Sequence, residues 1–426
     1  MDSSLYDKNL GRYSFLGYNP FFILKTKRKD PFFRMRQLFE KYKMKESFLP
    51  FLGGAVGFLS YDLGFVVEQK ISRIIQADLE IPDCFFGFYS AGIVIDNFLS
   101  RLYIFSLGFP EKKYFLAKAW AKDNFEELKR VLDRIDFSSH KKFFYAKDKK
   151  EKGEKPQFFS NFTRHQYIQA IKKAKDYIRQ GQIYQINLSQ RLQVESNKSA
   201  FEVYAKLRNL SPAFYSAYLD GGDFQIISSS PEEFLRVKGN CVITRPMKGT
   251  RRRGRDKEQD QRLKKELLKS PKDKAELLMI VDLERNDLGK VCKYHSIKVE
   301  QLRKLERYAT VFQTTSTIKG ILHLEKDRFD LLRACFPGGS ITGCPKIRAM
   351  QIIEELERSR RTFYTGSLGY LSFCGNMHFN ILIRSILKKD NNFYLGVGGG
   401  IVADSSPEKE YTETIIKADA MLRALN

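Results

Sequence analysis

The order of the predicted strands and helices is the feature that most constrains the fold. Apolar runs with strand character mix with helical patterns, without the regular strand–helix alternation that builds a parallel sheet. Strands are predicted at residues 183–192, 214–219, 224–228, 234–237, 241–245, 366–373, 379–387 and 393–397. Helices are predicted at residues 256–268, 272–283, 346–358 and 407–425. This order favours an α+β fold of layered, mainly antiparallel sheets flanked by helices over a Rossmann fold.

A highly charged stretch divides the chain. Residues 138–157 are dominated by Lys and Glu with little apolar periodicity, which predicts an exposed linker or long loop. The stretch separates an N-terminal subdomain, residues 1–137, from a second domain, residues 158–426. Beyond it, Thr163 and Gln166 have capping-box spacing and predict the start of a helix. The 426 residues therefore form one large unit or two intimately joined ones.

The composition excludes several classes of protein. Because 42% of the residues are hydrophobic, the bulk of the chain can bury a core and is not disordered. The 74 Lys and Arg residues against 50 Asp and Glu give a net charge of +24, which could attract nucleic acid, an anionic membrane or an anionic substrate. The basic residues are scattered, however, which favours a compositional bias. The six cysteines form no C-x-x-C pair, and no apolar run is long enough to cross a membrane, so a cytoplasmic protein is expected.

Two pairs of carboxylates have helical spacing. Asp273 with Glu276, and Glu410 with Glu413, each lie three residues apart and project from one face of a predicted helix. Two such faces brought together would offer the hard oxygen ligands that Mg²⁺ prefers. From spacing alone the alternative is favoured, namely solvated helix faces with lysine partners nearby.

Two further segments are open to more than one interpretation. Gly398, Gly399 and Gly400 end a predicted strand, where bare backbone could point N–H groups at an anion or simply form a tight turn. Lys248, in RPMKGTRRRG, lies between a predicted strand and a Gly-Thr turn. It could be a nucleophile if its ammonium were desolvated, part of a nucleic-acid patch, or an ordinary exposed lysine.

Seven blocks, in the same order along the chain, resemble the chorismate-utilising enzymes: anthranilate synthase component I, aminodeoxychorismate synthase component I, and the isochorismate and salicylate synthases. The blocks are GQIYQINLSQR (181–191), SSSPEEF (228–234), RPMKGTRRRG (245–254), ELLMIVDLERNDLG (276–289), CFPGGSITGCPKIRAMQIIEELE (335–357), YTGSLGY (364–370) and GVGGGIVADSSPEKEYTETIIKA (396–418). The resemblance implies a chorismate-binding catalytic domain at residues 158–426, with the layered fold of anthranilate synthase component I.

The resemblance also implies roles for single residues. Glu276 and Glu413 resemble direct Mg²⁺ ligands, with Glu410 and Asp273 behind them, and Glu232 resembles the general acid that protonates the departing ring hydroxyl. The implied contacts to the enolpyruvyl carboxylate and the ring are Arg384, Tyr364, Gly398, Gly399, Gly400, Lys417, Ser340 and Gly343. Chorismate is a dianion, so cationic and N–H-rich surroundings suit it.

Two positions favour one branch of this family. Isochorismate and salicylate synthases place a water-activating lysine where this chain has Gln185, which has no basic group. Anthranilate synthases usually have alanine where this chain has Lys248, whereas P-M-K-G-T resembles aminodeoxychorismate synthase. In that branch the lysine amine adds to the ring as hydroxyl leaves, and ammonia then displaces it. The expected product is 4-amino-4-deoxychorismate, a precursor of p-aminobenzoate and folate.

The chain departs from the family pattern at one position, and the resemblance implies a partner subunit. Gln313 lies where the family commonly has histidine; glutamine can still orient the substrate but cannot become cationic near neutral pH. The chain has no glutaminase triad block, so a separate glutamine amidotransferase subunit is expected to supply ammonia, and neither nucleic acid nor a membrane is expected to bind. The alternatives are an anthranilate synthase component I, a catalytically inactive family member and a basic nucleic-acid-binding protein.

Overall fold

The fold is known from a computed structural model that describes residues 1–5, 10–45, 47–135, 156–308 and 311–426. The strands are β1 (Tyr13–Tyr18), β2 (Phe22–Thr26), β3 (Gly54–Leu59), β4 (Cys84–Tyr89), β5 (Ala91–Asp96), β6 (Arg101–Ser106), β7 (Phe159–Ser160), β8 (Gln185–Glu195), β9 (Tyr215–Asp220), β10 (Gln225–Ser230), β11 (Glu233–Lys238), β12 (Cys241–Arg245), β13 (Met247–Arg252), β14 (Lys298–Arg307), β15 (Val311–Ile321), β16 (Gly343–Cys344), β17 (Ser367–Ser372), β18 (Met377–Asn380), β19 (Ser385–Lys389) and β20 (Asn392–Ile401). The helices are α1 (Phe32–Lys41), α2 (Gly64–Val67), α3 (Tyr114–Asp133), α4 (Arg164–Arg179), α5 (Ala200–Leu210), α6 (Lys257–Lys269), α7 (Pro271–Gly289), α8 (Arg328–Cys335), α9 (Lys346–Leu356) and α10 (Pro407–Ala424).

These strands form three sheets, and every strand pair in the described ranges is antiparallel. A seven-stranded sheet has the order β16-β8-β20-β19-β10-β9, with β7 beside β8. A ten-stranded sheet has the order β13-β15-β12-β11-β18-β17-β3-β4-β2, with β14 also paired to β15. The third sheet is β1-β5-β6, on which α3 packs. The ten-stranded sheet thus contains strands from both sides of the charged stretch.

The core explains why the sheets are layered. Ile226 and Leu387 of the seven-stranded sheet share one apolar cluster with Phe58 and Phe85 of the ten-stranded sheet. On the seven-stranded sheet, α5 and α10 pack against β20 through a second cluster, while α4 and α9 pack against β8 through a third. Helices therefore cover the large sheets on the outside, and apolar side chains join the sheets on the inside.

Most predicted elements are confirmed to within a few residues. The helix at Thr163 begins with the predicted capping box: the Gln166 N–H donates to Thr163 Oγ1 at 3.2 Å, and the Thr163 N–H donates to Gln166 Oε1 at 3.0 Å. The strand predicted at 241–245 matches β12, while α7 continues six residues beyond its predicted end. Residues 136–155 lie outside the described residues, so the linker and the domain boundaries stay predictions.

Two strand predictions are wrong in an informative way. The strand predicted at 379–387 is two strands, because β18 belongs to the ten-stranded sheet and β19 to the seven-stranded sheet. The chain crosses between them at residues 381–384, where apolar residues enter both cores. Because the segment stays apolar throughout, the pattern of apolar residues does not reveal the break. Gly398, Gly399 and Gly400 do not end a strand but lie within β20, opposite Ser189, Leu188 and Asn187 of β8.

A buried ion pair ties β8 to the loops beside it. The Arg361 guanidinium donates to Glu357 Oε1 at 2.7 Å and to the carbonyl oxygen of Ile341 at 2.8 Å, and it also donates to the carbonyl oxygen of Asn187. Glu357 in turn accepts the backbone N–H and the hydroxyl of Ser189, both at 2.8 Å. Both members of the pair are buried, so each depends on the other and on nearby backbone and hydroxyl groups for its hydrogen bonds.

In the described residues no helix combines the length and the apolar character needed to cross a bilayer.

We expect Arg361→Met to lower the free energy of unfolding by about 3–5 kcal/mol, because it leaves the Glu357 carboxylate buried without its cation. Arg358→Met is the control, since Arg358 is exposed and contacts only the Phe162 ring at 5.4 Å; it should cost less than about 1 kcal/mol. Urea unfolding followed by circular dichroism measures both. Equal losses for the two variants would contradict the importance of the pair.

Candidate active site

Lys248 and Glu232 meet at Ser340, although the three residues come from distant parts of the sequence. Lys248 lies in β13, and its ammonium donates to the Ser340 carbonyl oxygen at 2.8 Å. Glu232 follows β10, and its buried carboxylate is hydrogen-bonded to the Ser340 side chain and the Met247 backbone. The sequence analysis expected a turn after Lys248, but β13 continues through a bulge at Gly249, whose φ of +72° suits glycine.

Burial brings the pKa values of Lys248 and Glu232 closer together. Burial lowers the pKa of Lys248 from its usual value, against the raising effects of Glu232 and Glu276. Burial also raises the pKa of Glu232, against the lowering effect of Lys248. Each shift favours the neutral form, so a free amine and a protonated carboxyl coexist more often than they would in water. These are the forms that a nucleophile and a general acid need.

Glu284 is a neighbouring acid that the sequence analysis missed. Its Oε2 accepts a hydrogen bond from Thr244 Oγ1 at 2.8 Å, and burial raises its pKa to about 8. It lies on α7, two turns after Glu276, and raises the pKa of Lys248. The eight-residue spacing from Glu276 on one helix face was the available signal.

Each of the four predicted metal carboxylates faces a cation of the chain. Their partners are Arg251 for Asp273 at 3.1 Å, Lys272 for Glu276 at 3.7 Å and for Glu410 at 3.5 Å, and Lys417 for Glu413 at 2.8 Å. The lysine partners weighed in the sequence analysis are therefore present. Lys417 keeps the pKa of Glu413 below its usual value, whereas burial raises that of Glu276.

The four predicted metal carboxylates suit Mg²⁺ chemically, but in the described residues they do not converge on one point. They are all carboxylates, and Glu276 Oε1 is buried without a hydrogen-bond partner, so it can accept a hard cation. Within the described ranges, no three His, Cys, Asp or Glu side chains converge as ligands of one metal ion. Mg²⁺ stays a prediction.

An open backbone edge lies beside Arg384. β19 pairs with β20 only as far as Leu395, so the edge of β20 at residues 396–401 that faces away from β8 has no strand partner in the described part of the chain. Arg384 immediately precedes β19, and no carboxylate among the described residues forms an ion pair with its guanidinium. Burial lowers its pKa, and only Tyr308 raises it. A guanidinium beside free backbone edge groups can receive an anion.

Other predicted substrate contacts surround β20. The Lys417 ammonium donates to the Gly398 carbonyl oxygen at 2.8 Å. Tyr364 is buried and hydrogen-bonded to Asn187, and burial raises its pKa. Gly343 pairs with Ile186 at the other side of β8. These groups are on or next to the seven-stranded sheet, while Lys248 comes from the edge of the ten-stranded sheet.

Two glutamines present unused acceptors. The Oε1 atoms of Gln185 and Gln313 are both buried without a hydrogen-bond partner, while Gln313 Nε2 donates to Thr250 Oγ1 at 3.2 Å. The Gln185 amide nitrogen lies 2.5 Å from the position that a Cβ at Gly400 would take, so a side chain there would displace this amide. Buried polar atoms without partners are costly, which makes both oxygens ready to accept hydrogen bonds from a ligand.

A cavity of about 350 Å³ lies elsewhere and contains none of the predicted site residues. Its lining includes Asp2, Phe214, Glu233, Tyr370 and His378.

Comparison with known proteins identifies the family and the fold of the chain. Residues 3–423 match the family model of the chorismate binding enzymes. The chain is 38% identical to anthranilate synthase component 1 of Acetivibrio thermocellus over 97% of this chain and 87% of the relative. It is 36% identical to aminodeoxychorismate synthase component 1 of Bacillus subtilis over 97% and 89%. The crystal structure of anthranilate synthase component I from Streptococcus pneumoniae superposes with a TM-score of 0.85 at 32% identity, over 97% of this chain and 92% of that one.

The predicted anthranilate synthase component I-like, layered α+β fold is thereby confirmed. Relatives from the anthranilate and the aminodeoxychorismate branches are about equally similar, so they do not choose between the two reactions. What the family model, the relatives and the fold share is one conclusion: the chain belongs to the chorismate-binding enzyme family and is a chorismate-utilising enzyme.

Proposed function

We propose that this chain is an aminodeoxychorismate synthase component I, which aminates chorismate to 4-amino-4-deoxychorismate. The observation that carries the proposal is the Lys248 amine, enclosed at Ser340 beside Glu232. A lysine held there, with a pKa lowered by burial, is suited to nucleophilic attack. The alternative function, anthranilate synthase, is supported by relatives of about equal similarity. That branch usually has alanine, which has no amine, at the position of Lys248.

The reaction divides into two displacements. In the first, the neutral Lys248 amine forms a C–N bond to the ring while the C4 hydroxyl leaves, and the protonated Glu232 donates the proton that lets it leave as water. In the second, ammonia attacks C4, and the bond to the Lys248 nitrogen breaks as the lysine loses its ring substituent. The proton that ammonia sheds returns to the carboxylate of Glu232. The sum is chorismate plus ammonia giving 4-amino-4-deoxychorismate and water.

Binding uses charges on both sides of the reacting ring. The enolpyruvyl carboxylate binds to Arg384, Lys417 and the open edge of β20. The ring is lined by Tyr364, Ser340 and Gly343. Glu276 and Glu413, with Glu410 and Asp273 behind them, would hold Mg²⁺. The metal would supply positive charge to balance and orient the ring carboxylate. Gln185 and Gln313 offer acceptors to substrate hydroxyl or ammonia N–H groups.

Ammonia comes from a separate glutamine amidotransferase subunit in this proposal. The support is indirect: the relatives carry the name component 1, which implies a second component. Free ammonium at alkaline pH should replace that subunit in a purified assay.

The decisive experiment incubates the chain with chorismate, Mg²⁺ and ammonium, with and without added aminodeoxychorismate lyase. We expect p-aminobenzoate only when lyase is present, and Lys248→Ala should abolish its formation because no amine remains to displace the hydroxyl. Lys257→Ala, an exposed lysine on α6, should keep wild-type activity. Anthranilate formed without lyase would reject the proposal, and full activity of Lys248→Ala would reject the covalent route.

Glu232→Gln should reduce kcat by about 10²- to 10⁴-fold with little change in chorismate affinity, because a general acid acts in the transition state. It should also lower the pKa of Lys248 further, since the Glu232 carboxylate raises it. Mass spectrometry of Lys248 acylation against pH, without chorismate, measures that pKa. Glu258→Gln is the exposed control. A Lys248 pKa unchanged in Glu232→Gln would contradict their electrostatic contact.

Glu276→Gln should raise the Mg²⁺ concentration needed for half-maximal activity by at least about tenfold, because a charged oxygen ligand is lost. Asp282→Asn is the matched control on the same helix, where the side chain is 72% exposed and pairs with Arg285. A Mg²⁺ dependence equal to that of the wild type would remove Glu276 from the ligand set.

A further inference from the structure

Lys272 bridges the two helices that carry the predicted metal carboxylates. Its ammonium lies 3.7 Å from Glu276 Oε1 on its own helix, α7, and 3.5 Å from Glu410 Oε1 on α10. The two carboxylates are enclosed, with side-chain exposures of 13% and 8%, whereas the lysine side chain is 43% exposed. The cation therefore reaches a buried pair of anions from the solvent side.

The other two cations of the cluster are held more firmly. Lys417 donates to the Gly398 carbonyl oxygen and pairs with Glu413, both at 2.8 Å. Arg251 donates to Glu266 at 2.7 Å and to Asp273 at 3.1 Å. The contacts of Lys272 are at the outer limit of hydrogen bonding, and Glu276 Oε1 has no hydrogen-bond partner despite the ammonium nearby. Lys272 therefore balances the charge of both carboxylates but leaves Glu276 Oε1 without a hydrogen bond.

Building on the proposed function, we infer that Lys272 is a built-in competitor of the metal: its ammonium lies beside the Glu276 oxygen that would bind the metal, with Glu410 as its second partner, and it moves into solvent when Mg²⁺ binds. Two cations cannot share this space, because a divalent ion and an ammonium a few ångströms apart repel strongly where water is scarce. The partial exposure of Lys272 gives its ammonium a path into solvent, whereas the two carboxylates are enclosed.

Two further observations agree with this exchange. Among the described residues, no three potential ligand side chains converge on one point, so the carboxylates must draw together when a metal replaces the lysine. Glu410 keeps a second support, because Ser405 Oγ donates to its Oε1 at 2.7 Å. The site therefore persists when the lysine leaves.

Metal binding measured without chorismate tests the inference directly. Mn²⁺ serves as the probe, titrated into the full-length chain and followed by electron paramagnetic resonance. Lys272→Gln should bind Mn²⁺ about three- to tenfold more tightly than the wild type, because the competing charge is gone. Lys272→Arg, which keeps the charge, should remain near the wild type. Lys274→Gln, an exposed lysine two residues away with no ion pair in the described part of the chain, should also be unchanged.

Thermal unfolding gives a second readout that does not need turnover. Without metal, Lys272→Gln should melt below the wild type, because it leaves two enclosed carboxylates facing each other. With Mn²⁺ its melting temperature should rise by more than that of the wild type. Neither shift is expected for Lys274→Gln.

The outcomes separate the inference from the proposed function. Mn²⁺ binding that is equal or weaker in Lys272→Gln would overturn the competitor role while leaving the metal site and the reaction intact. No Mn²⁺ binding by any variant at millimolar concentration would overturn both the metal assignment and this inference. Loss of p-aminobenzoate formation in the wild-type assay, with Lys272→Gln still binding Mn²⁺ more tightly, would reject the reaction alone.

Discussion

The passage of the chain from one large sheet to the other, at residues 381–384, is the constraint on which the site depends. β18 ends in the ten-stranded sheet and β19 begins in the seven-stranded sheet, so the two sheets cannot slide past each other. Because β19 starts late, it covers β20 only as far as Leu395 and leaves the next residues open along one edge. Arg384 stands at that opening with φ of +49°. One change of sheet thus creates the edge and places Arg384 directly before the strand that leaves it open.

Charge balance is the second organising principle. The proposed site gathers Lys248, Lys272 and Lys417 among Glu232, Glu276 and Glu410 and their neighbours. Burial pushes Lys248 and Glu232 towards their neutral forms, while the lysines on the helices remain as counter-ions. A dianionic substrate and a divalent cation enter such a cluster as a nearly neutral pair, so binding disturbs the total charge little.

The sequence was most informative where structure is local. The capping box at Thr163 and the strand Cys241–Arg245 follow from neighbouring residues, and both agree with the structure. Long-range contacts could not be derived in this way: Lys248 and Ser340 are 92 residues apart, and only the order of the family blocks brought them into one site. The break between β18 and β19 was hidden because both halves of the segment are apolar. Glu284 was missed because its eight-residue spacing from Glu276 does not by itself separate a buried acid from the solvated acids of a charged helix.

The bulge at Gly249 lets β13 approach the helices α6 and α7 closely. A Cβ at this position would lie 2.9 Å from Leu267 Cδ1 and 3.0 Å from Asp273 Oδ1. An added methyl group on β13 would therefore press on side chains of both α6 and α7. The close approach of the strand that carries Lys248 to the helix that carries Asp273 and Glu276 thus depends on the side chain that Gly249 lacks.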